Sequence, residues 1–130
     1  MTESSQGARP RLLLVDDEEG ILSALRRTLR REGYSIRTAR NAVEGLAALE
    51  EEAADLVLSD HMMPGMTGLD FLSEVKRRRP QAICFLISGW SQAVTRGELE
   101  KAGIGGLIPK PWDDGQLKAT LRSVLPGSPS

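Results

Sequence analysis

Residues 11–38 read RLLLVDDEEGILSALRRTLRREGYSIRT, and the order of features within them decides the fold. Leu12 to Val15 is a continuous apolar run. An unbroken run of this kind suits a strand buried on both faces, as in a parallel sheet. Four acidic residues follow at 16–19. Ile21, Leu22, Leu25 and Leu29 then recur at helical spacing, with Arg26, Arg27, Arg30 and Arg31 mostly off that stripe. Gly33 ends the helix, and a weaker strand follows from Tyr34 to Thr38. Strand, acidic turn, amphipathic helix and strand form one parallel crossover unit.

The same alternation continues outward. Asp55 to Leu58, Ile83 to Ile87 and Ile104 to Ile108 are further short apolar runs. Asn41 caps a helix through about Glu51, with Val43, Leu46 and Leu49 inward. A third helix is expected over Thr67–Arg78, carrying Leu69, Phe71, Leu72 and Val75. A fourth is expected over Ser91–Lys101, and a fifth over Trp112–Leu125, with Leu117, Leu121, Val124 and Leu125 inward. The order predicts an α/β fold: a doubly wound, five-stranded parallel sheet with right-handed crossovers and five helices on its two faces. Residues 1–10 read as a polar tail, 11–125 as one domain, and 126–130, PGSPS, as a second tail or the start of a linker.

Bulk composition fits this reading. The chain has 130 residues, enough for one domain, and 40% of them are apolar. Lys and Arg number 17 against 18 Asp and Glu, so no global field draws the chain to nucleic acid or to a membrane surface. Cys84 is the single cysteine, which excludes an internal disulfide and suits a reducing compartment. No apolar run reaches the roughly 20 residues of a membrane span, and residues 1–11 lack the apolar middle of a signal peptide. A cytoplasmic protein is expected.

In doubly wound sheets, sites form outside the carboxyl ends of the strands. Strand one ends at Asp16 and Asp17, strand three at Ser59-Asp60, strand four at Ser88-Gly89, and strand five at Pro109-Lys110-Pro111. Singly, each has a plain structural role: an aspartate caps a helix, a serine closes a turn, a lysine is solvated. Together they place three carboxylates, a hydroxyl and an ammonium at one rim. Crowded carboxylates are costly unless a cation or proton intervenes. A small set of oxygen ligands suits Mg²⁺ (or Mn²⁺) with retained waters rather than zinc. A carboxylate is a competent nucleophile toward phosphorus, and transfer needs positive charge and hydrogen bonds around the phosphoryl oxygens. Lys110 and Ser88 supply them.

With these residues in view, the chain from about Arg11 to Leu125 resembles the receiver domain of two-component response regulators. The matching segments are LLLVDDE at 12–18, SDHMMPGMTGLDFL at 59–72, LISG at 86–89 and PKPW at 109–112. The resemblance implies a flavodoxin-like three-layer sandwich with strand order 2-1-3-4-5. It implies a phosphoacceptor at Asp60, supplied by a histidine kinase or a histidine phosphotransfer protein. It assigns Mg²⁺ to Asp16, Asp17, Asp60 and the backbone carbonyl of Met62. Ser88 becomes the switch hydroxyl, Lys110 the phosphate-pairing cation, and Lys110–Pro111 a cis peptide. Pro64 and Gly65 shape the loop after Asp60, and Gly68 permits close approach there. Signalling follows by contact with an output protein or domain, through the fourth helix, fifth strand and fifth helix, with no direct nucleic-acid or membrane partner. No reaction is expected beyond Mg²⁺-dependent self-phosphorylation and slow loss of the phosphoryl group. The segment KPWDD is similar to receivers tied to cyclic-dinucleotide phosphodiesterase or hybrid-kinase outputs. Three placements stay open: a free-standing protein, a phosphorelay carrier, or part of a longer chain.

One position departs from the family. Three residues before the lysine the family carries Tyr or Phe; here it is Leu107. Trp90 or Trp112 could take over its reporting role, or both could simply pack. A bulky Trp90 with Met62 opposite would hinder attacking water. The rival class, a haloacid-dehalogenase-like enzyme, needs an Asp two residues after the nucleophile, where this chain has Met62. His61 is expected to turn away from the acceptor's face, Cys84 to be a small core residue, and Lys76 to Arg79 to suit a helix C-terminus. For the arginines of the first helix, steering of a phosphodonor and plain solvation both stand.

Overall fold

The computed structural model of the chain describes residues 9–89 and 94–125. Ten elements alternate without exception: β1 Arg11–Val15, α1 Glu19–Leu29, β2 Ser35–Ala39, α2 Ala42–Glu51, β3 Leu56–Asp60, α3 Gly68–Arg78, β4 Ile83–Gly89, α4 Arg96–Ala102, β5 Gly106–Lys110 and α5 Asp114–Val124. All strand pairs are parallel, in the order β2-β1-β3-β4-β5. This is the doubly wound sheet the sequence predicts, and residues 1–8, 90–93 (with Trp90 and Ser91) and 126–130 lie outside the described residues.

Strand alternation divides the apolar residues between two layers. Leu13, Val15, Val57, Cys84 and Leu86 face α2, α3 and the end of α4, where Phe71, Leu72, Val75 and Leu49 meet them. Leu12, Leu14, Leu56, Leu58, Phe85 and Ile87 face α1 and α5, packing on Leu22, Leu25, Leu29, Leu117 and Leu121. Cys84 is core, as expected, and burial pushes its thiol up to about 11.

Several boundaries differ from the sequence reading. β3 and β4 are not among them: they end at Asp60 and Gly89, where the sequence puts their ends, with the polar Ser59, Asp60 and Ser88 buried. β2 begins one residue late because Tyr34 is buried among the α1–α5 layer. β5 is shifted by two residues: Ile104 packs in the other layer, and the strand runs Gly106–Lys110 instead. The two glycines before Leu107 explain this, because a Cβ at Gly106 would stand 3.0 Å from the Phe85 ring and one at Gly105 3.2 Å from it. α1 stops at Leu29, and Gly33 serves the following turn with φ +87°. α5 starts at Asp114, with Asp113 accepting from the Gln116 N–H as its cap, which leaves Trp112 outside the helix. Thr95 and Glu98 form a reciprocal capping box that begins α4 at Arg96. Val43 is 78% exposed rather than inward; Ala42, Gly45 and Ala48 face the core, where the Phe71 ring takes the space a Cβ at Gly45 would need.

The basic run at the end of α3 is engaged within the molecule. Lys76 Nζ donates to the carbonyls of Pro80 (2.8 Å) and Ala82 (2.9 Å), Arg77 and Arg78 pair with Glu74, and Arg79 donates to the Leu49 carbonyl. A helix C-terminus is the role it fills.

Candidate functional site

The carboxyl ends of β1, β3, β4 and β5 meet at one rim, and parallel register sets their levels. Val15 pairs with Ser59, Asp60 with Ile87, and Gly89 with Lys110. Asp16, one residue past β1, therefore stands beside Asp60, and Lys110 reaches in from the sheet edge.

Asp16, Asp17 and Asp60 each offer a carboxylate oxygen within 4.8 Å of the others. Asp16 is fully buried and Asp60 nearly so, while Asp17 is half-buried and opens the cluster to solvent. Lys110 Nζ donates to Asp60 Oδ1 at 2.9 Å and to Asp16 Oδ2 at 3.1 Å. Asp16 Oδ1 also accepts the Glu18 N–H at 2.9 Å. Asp16 thus does part of a helix-capping job as well as standing in the cluster. One ammonium pairs with two of the three carboxylates, Asp16 and Asp60, and the balance sets the direction in which each group is pushed. Burial, with the Asp60 charge added, pushes the Asp16 carboxyl above its ordinary range against the pull of the Glu18 N–H and Lys110. Burial acts to lower Lys110, but its hydrogen bonds to Asp60 and Asp16 outweigh that and hold the ammonium above its ordinary value.

The loop after β3 is shaped by close backbone approach. A Cβ on Gly68 would lie 2.1 Å from the Asp60 carbonyl oxygen, and the Gly68 N–H donates to the His61 carbonyl at 2.7 Å. Only glycine fits there. Gly65 adopts φ +89°, and Thr67 caps α3. His61 enters through its backbone; its Nδ1 is buried and has no hydrogen-bond partner among the described residues. Met62, where the rival enzyme class needs an acid, points out at 56% exposure. Ser88 is buried at the end of β4 and donates to the Gly89 carbonyl at 3.2 Å. Lys110–Pro111 is cis, as expected.

One group near the site was not singled out from sequence, and a second makes contacts the sequence did not show. Glu18 Oε1 lies 4.0 Å from Lys110 Nζ, adding a fourth carboxylate at the exposed margin; the acidic run 16–19 carried that signal. Trp112 Nε1 donates to Thr28 Oγ1 (3.2 Å) and Asp114 Oδ1 (3.1 Å), joining the segment after Lys110 to α1. That contact spans 84 residues and leaves no trace in local pattern. Leu107 sits on β5 at 43% exposure. Between α1 and the Lys110 segment lies an open groove of about 690 Å³, lined by Ile21, Ala24, Arg27, Lys110 and Trp112 among others.

Comparison with known proteins points the same way. The family described as "Response regulator receiver domain" matches residues 12–122. The hydrogenase transcriptional regulatory protein HoxA of Cupriavidus necator is 39% identical over 116 residues, covering 88% of this chain and 24% of HoxA. The transcriptional regulatory protein CpxR of Klebsiella pneumoniae is 33% identical over 115 residues, covering 88% of this chain and 49% of CpxR. The chain therefore spans about a quarter of one regulator and half of the other. Among solved structures, the signal receiver domain of an HD domain-containing protein from Pseudomonas fluorescens Pf-5 superposes with a TM-score of 0.84 at 32% identity, over 90% of this chain and 87% of that one. The chemotaxis protein CheY4 of Vibrio cholerae gives 0.81 at 28% identity, over 91% of this chain and all of CheY4.

Proposed function

This chain belongs to the response regulator receiver domain family, and from that premise we propose that Asp60 accepts a phosphoryl group from a histidine kinase or histidine phosphotransfer protein. The observation that carries this reading is the pairing of Lys110 Nζ with Asp60 Oδ1 at 2.9 Å inside a set of three carboxylates. A buried cluster with more carboxylates than cations is poised to bind positive charge.

The donor set fits a hard divalent ion: all its atoms are oxygens, and Asp17 keeps one side open for retained water. Asp16, Asp17, Asp60 and the Met62 carbonyl would hold Mg²⁺ or Mn²⁺. When bound, the ion supplies charge neutralisation for the incoming phosphoryl oxygens. The rest belongs to the chain. An Asp60 oxygen forms a bond to phosphorus, and the bond from phosphorus to the donor imidazole nitrogen breaks. The imidazole keeps the electron pair and takes up a proton from solvent. Lys110 gives up the Asp60 oxygen it now holds and pairs with a phosphoryl oxygen, while the Ser88 hydroxyl donates to another. Water ends the cycle by hydrolysing the acyl phosphate to inorganic phosphate and the free Asp60 carboxylate, and self-phosphorylation with slow dephosphorylation is the chemistry this reading assigns to the domain.

Once Ser88 and Lys110 follow the phosphoryl group, the ends of β4 and β5 are biased toward a second arrangement, and a partner that prefers it is recruited. Protein contact is the output this chain can supply itself, in the cytoplasm, without binding nucleic acid or membrane. What lies beyond the receiver differs among its relatives, from transcriptional regulators to an HD domain-containing protein.

The test is incubation with acetyl phosphate, with Mg²⁺ or with excess EDTA. A phosphoryl adduct that needs the metal and is removed by hydroxylamine, as an acyl phosphate must be, is expected. An adduct that forms equally in EDTA, or resists hydroxylamine, contradicts the reading.

A further inference from the structure

The segment that carries Lys110 is poorly anchored by its own backbone. Pro109 and Pro111 flank the lysine, and neither has an N–H to donate. Lys110 closes β5, an edge strand paired only with β4. The next firm attachment along the chain is a side chain. Trp112 Nε1 donates to both Thr28 Oγ1 and Asp114 Oδ1, and the Thr28 hydroxyl donates to the same Asp114 oxygen at 3.0 Å. Three residues from α1, the β5–α5 connection and the first turn of α5 close one ring of hydrogen bonds. The Trp112 ring packs behind it on the apolar layer between the sheet, α1 and α5.

We propose that the Trp112–Thr28–Asp114 ring is a latch that positions Lys110 over Asp60, so that α1 sets how readily the acceptor is phosphorylated. This rests on the phosphoacceptor reading above and adds three positioning residues to it. The reasoning is one of constraint. Lys110 must hold two carboxylates at rest, at 2.9 and 3.1 Å, and then move to a phosphoryl oxygen. A misplacement of the lysine's backbone by a fraction of an ångström is felt in transfer, because the reaction depends on positioned charge rather than on covalent help. The latch also gives the lysine a connection that does not pass through Leu107: the aromatic side chain two residues after Lys110 is tied to α1.

Thr28→Val and Thr28→Ser separate this role from plain packing. Valine keeps the shape and removes the hydroxyl; serine keeps the hydroxyl and trims a methyl. Phosphoryl uptake from acetyl phosphate at saturating Mg²⁺, followed by intact mass, needs no docking of a protein donor. Thr28→Val should slow uptake about fivefold, the scale of one lost neutral hydrogen bond, and Thr28→Ser should stay near wild type. Trp112→Phe should match Thr28→Val, and the double variant should be no slower than either single one, because both break the same ring. Wild-type rates in Thr28→Val, equal slowing by serine and valine, or additive slowing in the double variant would each overturn the latch. The Lys110 side-chain NMR resonances give a readout that needs no phosphoryl group: they should move in Thr28→Val and stay in place in Thr28→Ser. If wild-type protein takes up no phosphoryl group, the phosphoacceptor reading fails on its own, and these resonances still decide the latch, unmoved positions in Thr28→Val overturning it.

Discussion

Two buried carboxylates in this domain are pushed in opposite directions. Glu32, in the turn after α1, is 8% exposed, and Asp16, after β1, is wholly buried. Glu32 has a guanidinium to itself: Arg122 Nε and Nη2 donate to its two oxygens at 2.7 and 2.8 Å. Those hydrogen bonds hold its carboxyl below the usual range despite burial. Asp16 shares one ammonium with Asp60 and faces that carboxylate's charge, so burial wins and its carboxyl is raised. The first arrangement is complete as it stands and ties α1 to α5. The second is charge-deficient, and its deficit is what a divalent cation and a phosphoryl transfer would use. Paired burial marks structure, and underpaired burial marks function.

The largest expected effect comes from making the deficit worse. Lys110→Met leaves Asp16 and Asp60 unopposed and should cost about 3 kcal/mol in metal-free buffer, read by urea denaturation. Adding Asp60→Asn to it should restore most of that loss. If the double variant is as unstable as Lys110→Met, the carboxylates are not in conflict and the comparison fails. Filling the deficit should do the opposite. Mg²⁺ at ten times its Kd should stabilise the wild type by about 1.4 kcal/mol, and Asp17→Asn should blunt the rise in melting temperature.

The smaller effects sharpen the contrast through pH. The folded-state pKa of Glu32 is depressed from 4.5, so its contribution is complete above 4.5 and is lost as pH falls through the folded value. Glu32→Gln should therefore lose about 1 kcal/mol at neutral pH, modest because Arg122 is partly solvated, and nothing in strong acid. The folded-state pKa of Asp16 is raised from 3.8, so the folded protein holds the extra proton between those two values, and stability falls as pH rises through that window. Asp16→Asn should remove this fall and leave the metal-free protein slightly more stable at neutral pH, by up to about 1 kcal/mol. Denaturation curves across pH 3–8 check both signs.

The strands and the acceptor rim were legible because their signals are local. Continuous apolar runs marked β1, β3 and β4, and the polar residues closing them fell at one sheet edge by topology alone. The ends of β3 and β4 at Asp60 and Gly89 were read where they fall, but the burial of Asp60 and Ser88 was not, since nothing in the local pattern shows the pocket around them. β5 was misplaced because Ile104 is apolar yet belongs to the connection after α4, and the space above Gly105 and Gly106 is claimed by Phe85, some 20 positions earlier. Val43 was turned the wrong way because an inward face built from Ala42, Gly45 and Ala48 carries little apolar signal. The Glu32–Arg122 pair and the Trp112–Thr28–Asp114 ring join positions 84 to 90 apart, and no spacing rule reaches that far.

The claim on which all this depends is that Asp60 takes the phosphoryl group. Intact mass and peptide mapping of wild type and Asp60→Asn, each incubated with acetyl phosphate and Mg²⁺, test it most directly. The account predicts one phosphoryl adduct in the wild type, on the peptide containing Asp60, and none in the variant. No adduct in the wild type, or one that persists in Asp60→Asn, would contradict it.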